Sequence, residues 1–338
     1  MNQRHLIATI FGSILSGCVS TNPTLHPADK PLGTVQTLAF GSCNDQNRPQ
    51  PLWQPIKAIK PDLWIWAGDM VYADTDQKKE WQAAYSKQLE NPGYQSLVSQ
   101  VPVIGVWDDH DFALNDSDRT AKNKSTSQEV TLDFLNEPDE SPRRQRNGIY
   151  QDYHFTSTLG PVHIYLLDTR YHKDPWGPEQ GNILGEQQWQ WLDESLQQHS
   201  KGIHLFVSSI QLVPQDHPWE SWNRFANERS KFLDLIKKHR LQIPIVLSGD
   251  RHIAELSHIP GEELENQHGL WEITSSGLTH SYIAFESERN RYRVGTVFAE
   301  LNFGSLVFDA ETKSITLRIH DHQSQVVRSA SISLEKGS

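Results

Sequence analysis

Apolar runs of strand length recur along the chain, and polar residues follow directly where each run ends. The run Leu63–Ala67 (L-W-I-W-A) has the length and composition of a strand that is buried on both faces. Gly68 then permits a turn, so Asp69 stands at the carboxyl end of the strand, where ligands of open α/β sheets gather. Tyr72 and Asp74 follow on the same loop. Asp69 and Tyr72 can both reach a metal ion there, whereas no partner for Asp74 emerges from the rest of the sequence, so we interpret it as a loop-shaping residue.

The same pattern predicts the other elements of a mixed α/β domain. A helix around Ile56–Ile59 joins the first two strands into a βαβ unit. Further helices are predicted over Gln77–Leu97, Val130–Leu135, Glu186–Leu196 and Glu228–His239. The remaining strands are predicted over Val35–Phe40, Val101–Trp107, Gly148–Phe155, Val162–Leu167, His204–Ile210, Ile243–Leu247 and Trp271–Ser275, with a hairpin of Thr296–Phe308 and Ser314–His320.

Polar clusters follow five of these predicted strands. A single aspartate at a strand end is more often a turn or cap residue than a ligand, but a series of clusters in the same topological place favours a shared site. The clusters are Cys43, Asp69 with Tyr72, Asp109 with His110, Ser209 with Gln211, and Asp250 with His252.

The donor atoms of these clusters are of two kinds. A thiolate, a phenolate and an imidazole suit a transition metal, and the first two together suit ferric iron, whereas carboxylates suit calcium, magnesium or manganese. The first kind comes from Cys43, Tyr72 and His252, and the second from Asp69, Asp109 and Asp250. If Asp69 bridges both ions, the result is a two-metal site, which stabilises an in-line displacement and lowers the pKa of a bound water.

The amino terminus has the features of an export signal. Arg4 precedes an apolar stretch, Leu6–Leu15, that is too short to span a membrane, and Leu15-Ser16-Gly17-Cys18 resembles a bacterial lipobox. We therefore expect residues 1–17 to be a lipoprotein signal peptide, 18–34 a tether and 35–338 one domain. The protein would be exported and anchored, most simply in the outer membrane, by acyl chains on Cys18, facing the periplasm or the cell surface. The alternative is an ordinary secretory signal with a chance cysteine.

Cysteine content and charge restrict the chemistry further. The second cysteine of the chain is Cys43, so lipid on Cys18 would leave no intramolecular disulfide. A net charge of −11 argues against broad binding to nucleic acid, but a bound cation can still attract a phosphate ester. We expect a monomer that binds a small phosphate ester or a lipid headgroup.

The motifs, in order, resemble the alkaline phosphatase D (PhoD-like) family of calcineurin-like metallophosphoesterases. The matching phrases run from residue 40 to residue 295 and are F-G-S-C-N, W-A-G-D-M-V-Y-A-D-T, W-D-D-H-D-F-A-L-N-D, L-L-D-T-R-Y, L-G-E-Q-Q-W, V-S-S-I-Q, L-S-G-D-R-H and N-R-Y-R-V-G. The resemblance implies a four-layer α/β/β/α sandwich with mixed β-sheets, alkaline phosphomonoesterase or phosphodiesterase activity, and Fe3+ with Ca2+. The second ion could instead be Mg2+, Mn2+ or Zn2+.

Residue by residue, the resemblance also implies roles. His110 would contact the phosphoryl group or protonate the leaving group, and Arg251, with Arg291 and Arg293 as further candidates, would bind phosphate oxygens. The iron ligands would be Cys43, Asp69, Tyr72 and His252, and the calcium ligands Asp69, Asp109 and Asp250. The wider superfamily usually supplies a histidine after the strand that ends Val207-Ser208-Ser209 here; its absence from this sequence favours calcium over zinc.

Three functions are consistent with these residues. The first is a metal-dependent phosphoesterase that hydrolyses phosphate monoesters or diesters by in-line attack of a metal-bound hydroxide. The second is a phosphodiesterase of phospholipase D type that acts on lipid headgroups. The third, of a different class, is a non-catalytic surface lipoprotein that binds metal or phosphate, although binding alone would not need His110.

Overall fold

A computed structural model describes residues 22–177 and 180–335. The strands form one eight-stranded and one six-stranded mixed sheet. They are β1 Thr34–Val35, β2 Thr37–Gly41, β3 Leu63–Ala67, β4 Val103–Val106, β5 Gln151–Ser157, β6 Gly160–Leu166, β7 Ile203–Ser208, β8 Ile243–Ser248, β9 Ala254–Ile259, β10 Leu270–Ser275, β11 Arg293–Phe298, β12 Phe303–Asp309, β13 Ser314–His320 and β14 Val326–Ser333. The strand orders are β1-β5-β6-β7-β8-β10-β9-β11 and β14-β13-β12-β2-β3-β4.

Helices cover the outer face of each sheet. One apolar core includes side chains from both sheets and from the helices beside β3, and a second lies between the larger sheet and the helices that follow β6 and β7. The helices are α1 Trp53–Ala58, α2 Lys78–Leu89, α3 Pro92–Val98, α4 Asp109–Phe112, α5 Lys124–Phe134, α6 Glu186–Gln198, α7 Ala226–Lys238 and α8 Gly261–Leu264. This arrangement confirms the predicted four-layer α/β/β/α sandwich.

All five residues of β3 (L-W-I-W-A) are buried, and the two tryptophans on one face of the strand pack against the helix layer. Trp64 and Trp66 pack edge-on against Trp53 of α1, with ring centroids 5.6 Å apart in each pair. Trp66 also donates an indole hydrogen bond of 3.1 Å to the hydroxyl of Tyr94 in α3. Large aromatic rings thus fix the helix layer onto the strand that carries Asp69.

Three predicted elements are each divided in the structure. The predicted strand Val35–Phe40 spans the end of β1, in the larger sheet, and most of β2, in the smaller. The predicted helix Gln77–Leu97 is two helices, because Pro92 begins α3 and the side chain of Asn91 caps it. The predicted strand Thr296–Phe308 is also two, β11 in the larger sheet and β12 in the smaller, and Asn302 bonds Gly277 where the chain crosses between the sheets. Strands β9 and β14 were not predicted at all.

The described part of the predicted tether lies against the domain. Thr24 and His26 are buried, and Leu25 exchanges backbone hydrogen bonds with Val98 and Val103. Residues 24–26 of the predicted tether therefore pack against the domain that was predicted to begin at residue 35. The predicted signal peptide and Cys18 lie outside the described residues. Among the described helices, none combines the length and apolar character that crossing a membrane would require.

Candidate metal centre

Loops at the carboxyl ends of β2, β3, β4 and β8 bring the predicted donor residues together. Ligand atoms within each of three overlapping groups lie no more than 4.8 Å apart. The groups are Cys43 with Asp69 and His252, Asp69 with Asp109 and His110, and Asp108 with Asp109 and Asp250. Asp69 and Asp109 each belong to two groups, so the donors form one continuous cluster large enough for two ions.

The predicted iron ligands surround one oxygen of Asp69. Its Oδ2 lies 3.4 Å from the thiol sulfur of Cys43 and 3.3 Å from the hydroxyl of Tyr72. The same hydroxyl is 3.0 Å from Nε2 of His252. The thiol, phenol, imidazole and carboxylate predicted to share an ion therefore meet at one point.

Four donor residues adopt the left-handed backbone conformation, which costs free energy in residues other than glycine. The φ angles are 59° for Cys43, 47° for Asp69, 68° for Asp250 and 51° for His252. The turns that aim these side chains into the centre are thus locally strained, as is common where ligand placement outweighs local stability.

Two glycines let the loops approach closely. Gly68 has a φ of +94°, and a Cβ there would lie 2.6 Å from Cβ of Asp108. A Cβ on Gly249 would lie 2.6 Å from the carbonyl oxygen of Ala67 and would also collide with Ser42. The glycines of the motifs A-G-D and S-G-D therefore serve the same purpose, which is to place an aspartate beside a neighbouring strand end.

The electrostatics of the cluster fit bound cations. Oδ1 of Asp69, Oδ2 of Asp108 and Oδ1 of Asp109 are buried and have no hydrogen-bond partner. Burial, and then the charges of neighbouring carboxylates, hold the pKa values of Asp69 and Asp250 well above their usual range. A cation would supply the missing partner for these oxygens and offset the repulsion between them.

His252 has the protonation state that a ligand needs. Burial, and then the nearby imidazoles of His280 and His110, lower the pKa of His252 to about 3. Its ring is therefore neutral at physiological pH and can donate a lone pair. His280, which sequence reasoning missed, packs edge-on against the rings of Tyr72 and His252, at 5.1 Å and 4.3 Å between centroids.

The interpretation of Asp74 as a residue without a partner was wrong. Its Oδ1 lies 2.7 Å from Nδ1 of His110, and the His110 ring stacks on Tyr72 with centroids 4.0 Å apart. Burial alone would lower the pKa of His110, but the Asp74 hydrogen bond and the charges of Asp69 and Asp109 raise it to about 10. Bound cations would neutralise Asp69 and Asp109 and so oppose part of the rise in the pKa of His110.

A buried ion network supports the centre and was missed by sequence reasoning. Arg170 lies 2.5 Å from Asp108, 2.6 Å from Glu220 and 3.7 Å from Asp109. Lys173 lies 2.5 Å from Glu220. Burial alone would raise the pKa of Asp109, but Arg170 and then His110 lower it. Arg170, in the L-D-T-R-Y motif, follows a predicted strand as the donor residues do, and this position is the feature of the sequence that could have revealed the network.

The two polar residues predicted after β7, Ser209 and Gln211, contact different parts of the protein. Ser209 donates a 2.6 Å hydrogen bond to Asp108 and so supports the centre. Gln211 instead bonds Glu255 and Thr274 at 2.8 Å and 2.9 Å. Of this predicted cluster, the structure therefore brings only the serine to the metal centre.

The three candidate phosphate-binding arginines have different surroundings. Arg251 lines the same cavity as Asp69, Asp109 and His110, where it pairs with Glu288 at 2.6 Å. Arg291 pairs with Asp216 and Arg293 with Glu255, and both line a separate depression. On this geometry, Arg251 is the predicted arginine placed to meet a substrate.

The cavity over the centre has a volume of about 740 Å³ and an aromatic rim. Trp176, Trp219 and Tyr282 line it with exposed fractions of 40%, 46% and 41%. Trp222, from the same W-E-S-W-N-R-F stretch, is fully buried in the core. Asn115 also lines the cavity.

The comparisons with known proteins agree with this architecture. Residues 38–303 match the family model described as PhoD-like phosphatase. The chain belongs to the PhoD-like phosphatase family. Membership confirms the resemblance drawn from the motifs and supports the predicted class, hydrolases of phosphoric esters.

Individual relatives are distant. Alkaline phosphatase D of Bacillus subtilis (strain 168) is 19% identical over 284 residues, which cover 66% of this chain and 47% of the relative. The chain thus spans about half the length of that curated relative. The solved structure titled Structure of PhoD has a TM-score of 0.71 at 15% identity, covering 90% of this chain and 69% of that one. A dimetal phosphatase from Danio rerio has a TM-score of 0.54 at 12% identity, and the match covers 90% of this chain and 100% of that one.

Proposed function

We propose that this PhoD-like protein is a metal-dependent phosphoesterase that hydrolyses phosphate monoesters, diesters or both by in-line displacement. One observation carries the proposal: Asp69 and Asp109, each with a buried carboxylate oxygen that has no hydrogen-bond partner, line a cavity together with His110 and Arg251. Two cations bound there would neutralise phosphoryl charge and lower the pKa of an attacking water.

The two kinds of donor atom in the centre suit two different metal ions. Cys43, Tyr72 and His252, with Asp69, form a set suited to Fe3+. The carboxylates of Asp69, Asp109 and Asp250 form a set suited to Ca2+, with Mg2+, Mn2+ or Zn2+ as alternatives. Asp108 adds a fourth carboxylate to this side, which favours a hard cation further.

The side chains around the centre have separate tasks. Arg251 would bind phosphoryl oxygens through its guanidinium group, which offers planar, charged donors. Because Asp74 engages Nδ1 of His110, Nε2 is the nitrogen left to donate a proton to a leaving group. The stacked ring of Tyr72 holds that imidazole in place.

A parallel assay tests the activity. The purified protein is given p-nitrophenyl phosphate, bis(p-nitrophenyl) phosphate and phosphatidylcholine, and the same sample is analysed for metals. We expect turnover of at least one phosphate ester and bound metal, and we expect Asp69→Asn to lose both. Asp62→Asn is a matched control, because Asp62 caps the start of β2 through backbone hydrogen bonds away from the centre. Full activity of Asp69→Asn would overturn the proposal.

Phospholipid headgroups are the second candidate substrate. Trp176, Trp219 and Tyr282 place partly exposed aromatic surface around the cavity. Ile283, which follows Tyr282 in the chain, is 82% exposed and lines a neighbouring depression. Aromatic side chains favour the interface between water and lipid. Faster turnover of phosphatidylcholine in vesicles than of soluble diesters would support this alternative, and the reverse would exclude it.

We also propose that the chain is an exported lipoprotein anchored through Cys18. The lipobox-like stretch that ends at this cysteine supports the proposal. Cells that express the full chain are grown with a radioactive fatty acid. Label that is incorporated into the wild-type chain and lost in Cys18→Ala would support anchoring, and an unlabelled chain would refute it. The third possibility, a non-catalytic binding protein, would be favoured by bound metal with no turnover of any ester.

A further inference from the structure

A histidine cluster lies on the larger sheet, away from the metal centre. His154 on β5 is directly opposite His163 on β6, and His163 is opposite His204 on β7. Through His204, His163 is level with Pro244 of β8, four residues before that strand ends at Ser248, so the row lies roughly 13 Å from the strand end that Asp250 and His252 follow. His199, immediately after α6, adds a fourth imidazole beside this row.

Three of these rings face a common point. Ligand nitrogens of His154, His163 and His199 lie within 4.8 Å of one another. The centroid of the His199 ring is 3.9 Å from that of His154 and 5.0 Å from that of His163. His154 is exposed and His199 half-buried, so the point is open to solvent.

The hydrogen bonds around the cluster fix which nitrogens face inward. Nε2 of His163 lies 2.9 Å from the carbonyl oxygen of Lys201, so it carries the proton and its Nδ1 keeps a lone pair. Nε2 of His154 lies 3.4 Å from Asp152, whose carboxylate also accepts from the hydroxyl of Ser195. His154 is therefore also expected to carry its proton on Nε2 and to keep a lone pair on Nδ1.

The two inward lone pairs then meet at close range. Nδ1 of His154 is 2.9 Å from Nδ1 of His163. Two unprotonated nitrogens at that distance repel each other unless a proton or a cation lies between or beside them. The separation is close to the ~2.9 Å expected for two imidazole nitrogens bound about 2.05 Å from one ion at a right angle.

The remaining side chains resemble the outer shell of a metal site. A carboxylate that holds the far nitrogen of a ligand histidine orients the ring and strengthens it as a ligand, and Asp152 is placed to do this for His154. Nε2 of His204 donates a 2.7 Å hydrogen bond to the carbonyl oxygen of His199 and so fixes the end of α6. Burial lowers the pKa values of His163 and His199, which keeps these rings available as neutral ligands.

We infer that His154, His163 and His199 form a second, solvent-open site for one first-row divalent transition metal, separate from the phosphoesterase centre. Three imidazoles without a thiolate or carboxylate in direct contact suit Zn2+, Ni2+ and Cu2+, and Cu2+ should bind most tightly. Solvent would complete the coordination.

The test uses the full chain with its catalytic centre already loaded. Cu2+ is titrated into wild type and variants, and binding is followed by calorimetry and by electron paramagnetic resonance, which resolves coupling to imidazole nitrogens. We expect one additional equivalent of Cu2+ with multiple nitrogen ligands. We expect His163→Gln to weaken binding by at least about 100-fold and Asp152→Asn by about 10-fold to 100-fold.

Two further variants keep the test decisive. His322→Gln removes an exposed histidine far along the chain and should leave Cu2+ affinity unchanged. Should His163→Gln fail to fold, the exposed His154→Gln takes its place. Phosphoesterase activity should be the same in all these proteins, because none of the residues lies at the catalytic centre. Undiminished Cu2+ affinity in the histidine variants, or a resonance without multiple nitrogens, would overturn the inference.

Discussion

Asp74 Oδ1 lies 2.7 Å from Nδ1 of His110, although 36 residues separate the two along the chain. The loop after β3 is fixed around this pair, because the backbone amides of Ala73 and Asp74 both donate to the carbonyl oxygen of His110. Asp74 itself has a φ of 47°, so the carboxylate is delivered by a strained turn. The arrangement orients an imidazole beside a metal centre without making the carboxylate a ligand.

Asp74→Asn should therefore reduce kcat while leaving the metals bound. The amide can still hydrogen-bond the ring but cannot stabilise its charged form, so we expect a loss of roughly 10-fold to 100-fold, at the lower end of what general acid catalysis contributes. The loss should be larger for alkyl phosphates than for p-nitrophenyl phosphate, because a poor leaving group depends more on protonation. Steady-state rates on both substrates measure this, with Asp76→Asn as the control. Equal losses on the two substrates would contradict the role.

Tyr72→Phe should remove the phenolate contribution to the colour of the iron-loaded protein. A phenolate bound to Fe3+ gives a visible charge-transfer band, and Tyr72 is the phenol that lies beside Asp69 and His252. Absorption spectra and iron content of the purified proteins provide the measurement. Tyr282→Phe alters another tyrosine of the cavity outside the donor groups and should keep the band. Full activity in a colourless, iron-free wild-type protein would reject the iron assignment.

Much of the fold and of the centre is predictable because parallel strands end at one edge of a sheet. Strands β2, β3 and β4 pair in parallel, as do β6, β7, β8 and β10. Each apolar run therefore identifies a strand, and the residues after it are brought to the same edge. That rule brings Cys43, Asp69 and Asp109 to one edge of the smaller sheet, and the packing of the two sheets then brings Asp250 and His252, which follow β8 of the larger sheet, beside them.

The contacts between loops are not predictable in this way. Arg170 meets Glu220 only because the loops after β6 and β7 fold over each other, and no periodicity relates the two positions. The Asp74–His110 pair depends in the same way on a left-handed turn that the sequence does not specify. The predicted hairpin is present as β12 and β13, but the sequence does not reveal that its first strand is divided at Asn302, where the chain leaves one sheet for the other.

Arg170→Met should destabilise the protein strongly. The guanidinium is fully buried between Asp108 and Glu220, and its removal leaves two buried carboxylates without their main partner. Breaking a buried ion pair on one side costs about 3–5 kcal/mol. Urea unfolding of the metal-free protein measures the loss, and added Ca2+ should recover part of it by neutralising Asp108. Arg119→Met, at a largely exposed pair with Asp174, should cost about 1 kcal/mol or less. Similar costs for the two variants would contradict the assigned role of Arg170.

Glu137 should make the stability of the protein depend on pH in the acid range. Burial alone would raise its pKa, but Arg143 at 2.8 Å, with His26 and Ser141, lowers it to about 2. The ordinary pKa of this glutamate, which applies in the unfolded chain, is 4.5. Because the folded value is the lower one, the stabilisation is complete above pH 4.5 and is lost as the pH falls through 2. The difference between the two pKa values corresponds to about 3 kcal/mol of unfolding free energy.

Unfolding free energies between pH 5 and pH 3 test this linkage. Wild type should lose stability over that interval more steeply than Glu137→Gln, which has no carboxylate to protonate, although the variant is less stable at pH 7 because Arg143 remains buried without its partner. Glu140→Gln, at an exposed neighbouring position, should retain the wild-type slope. Since His26 also approaches Glu137, at 3.5 Å, acid should release the segment that precedes β1 at the same time. Protease cleavage within residues 22–31 that increases with falling pH in wild type, while the rest of the fold persists, would identify Glu137 as the anchor of that segment.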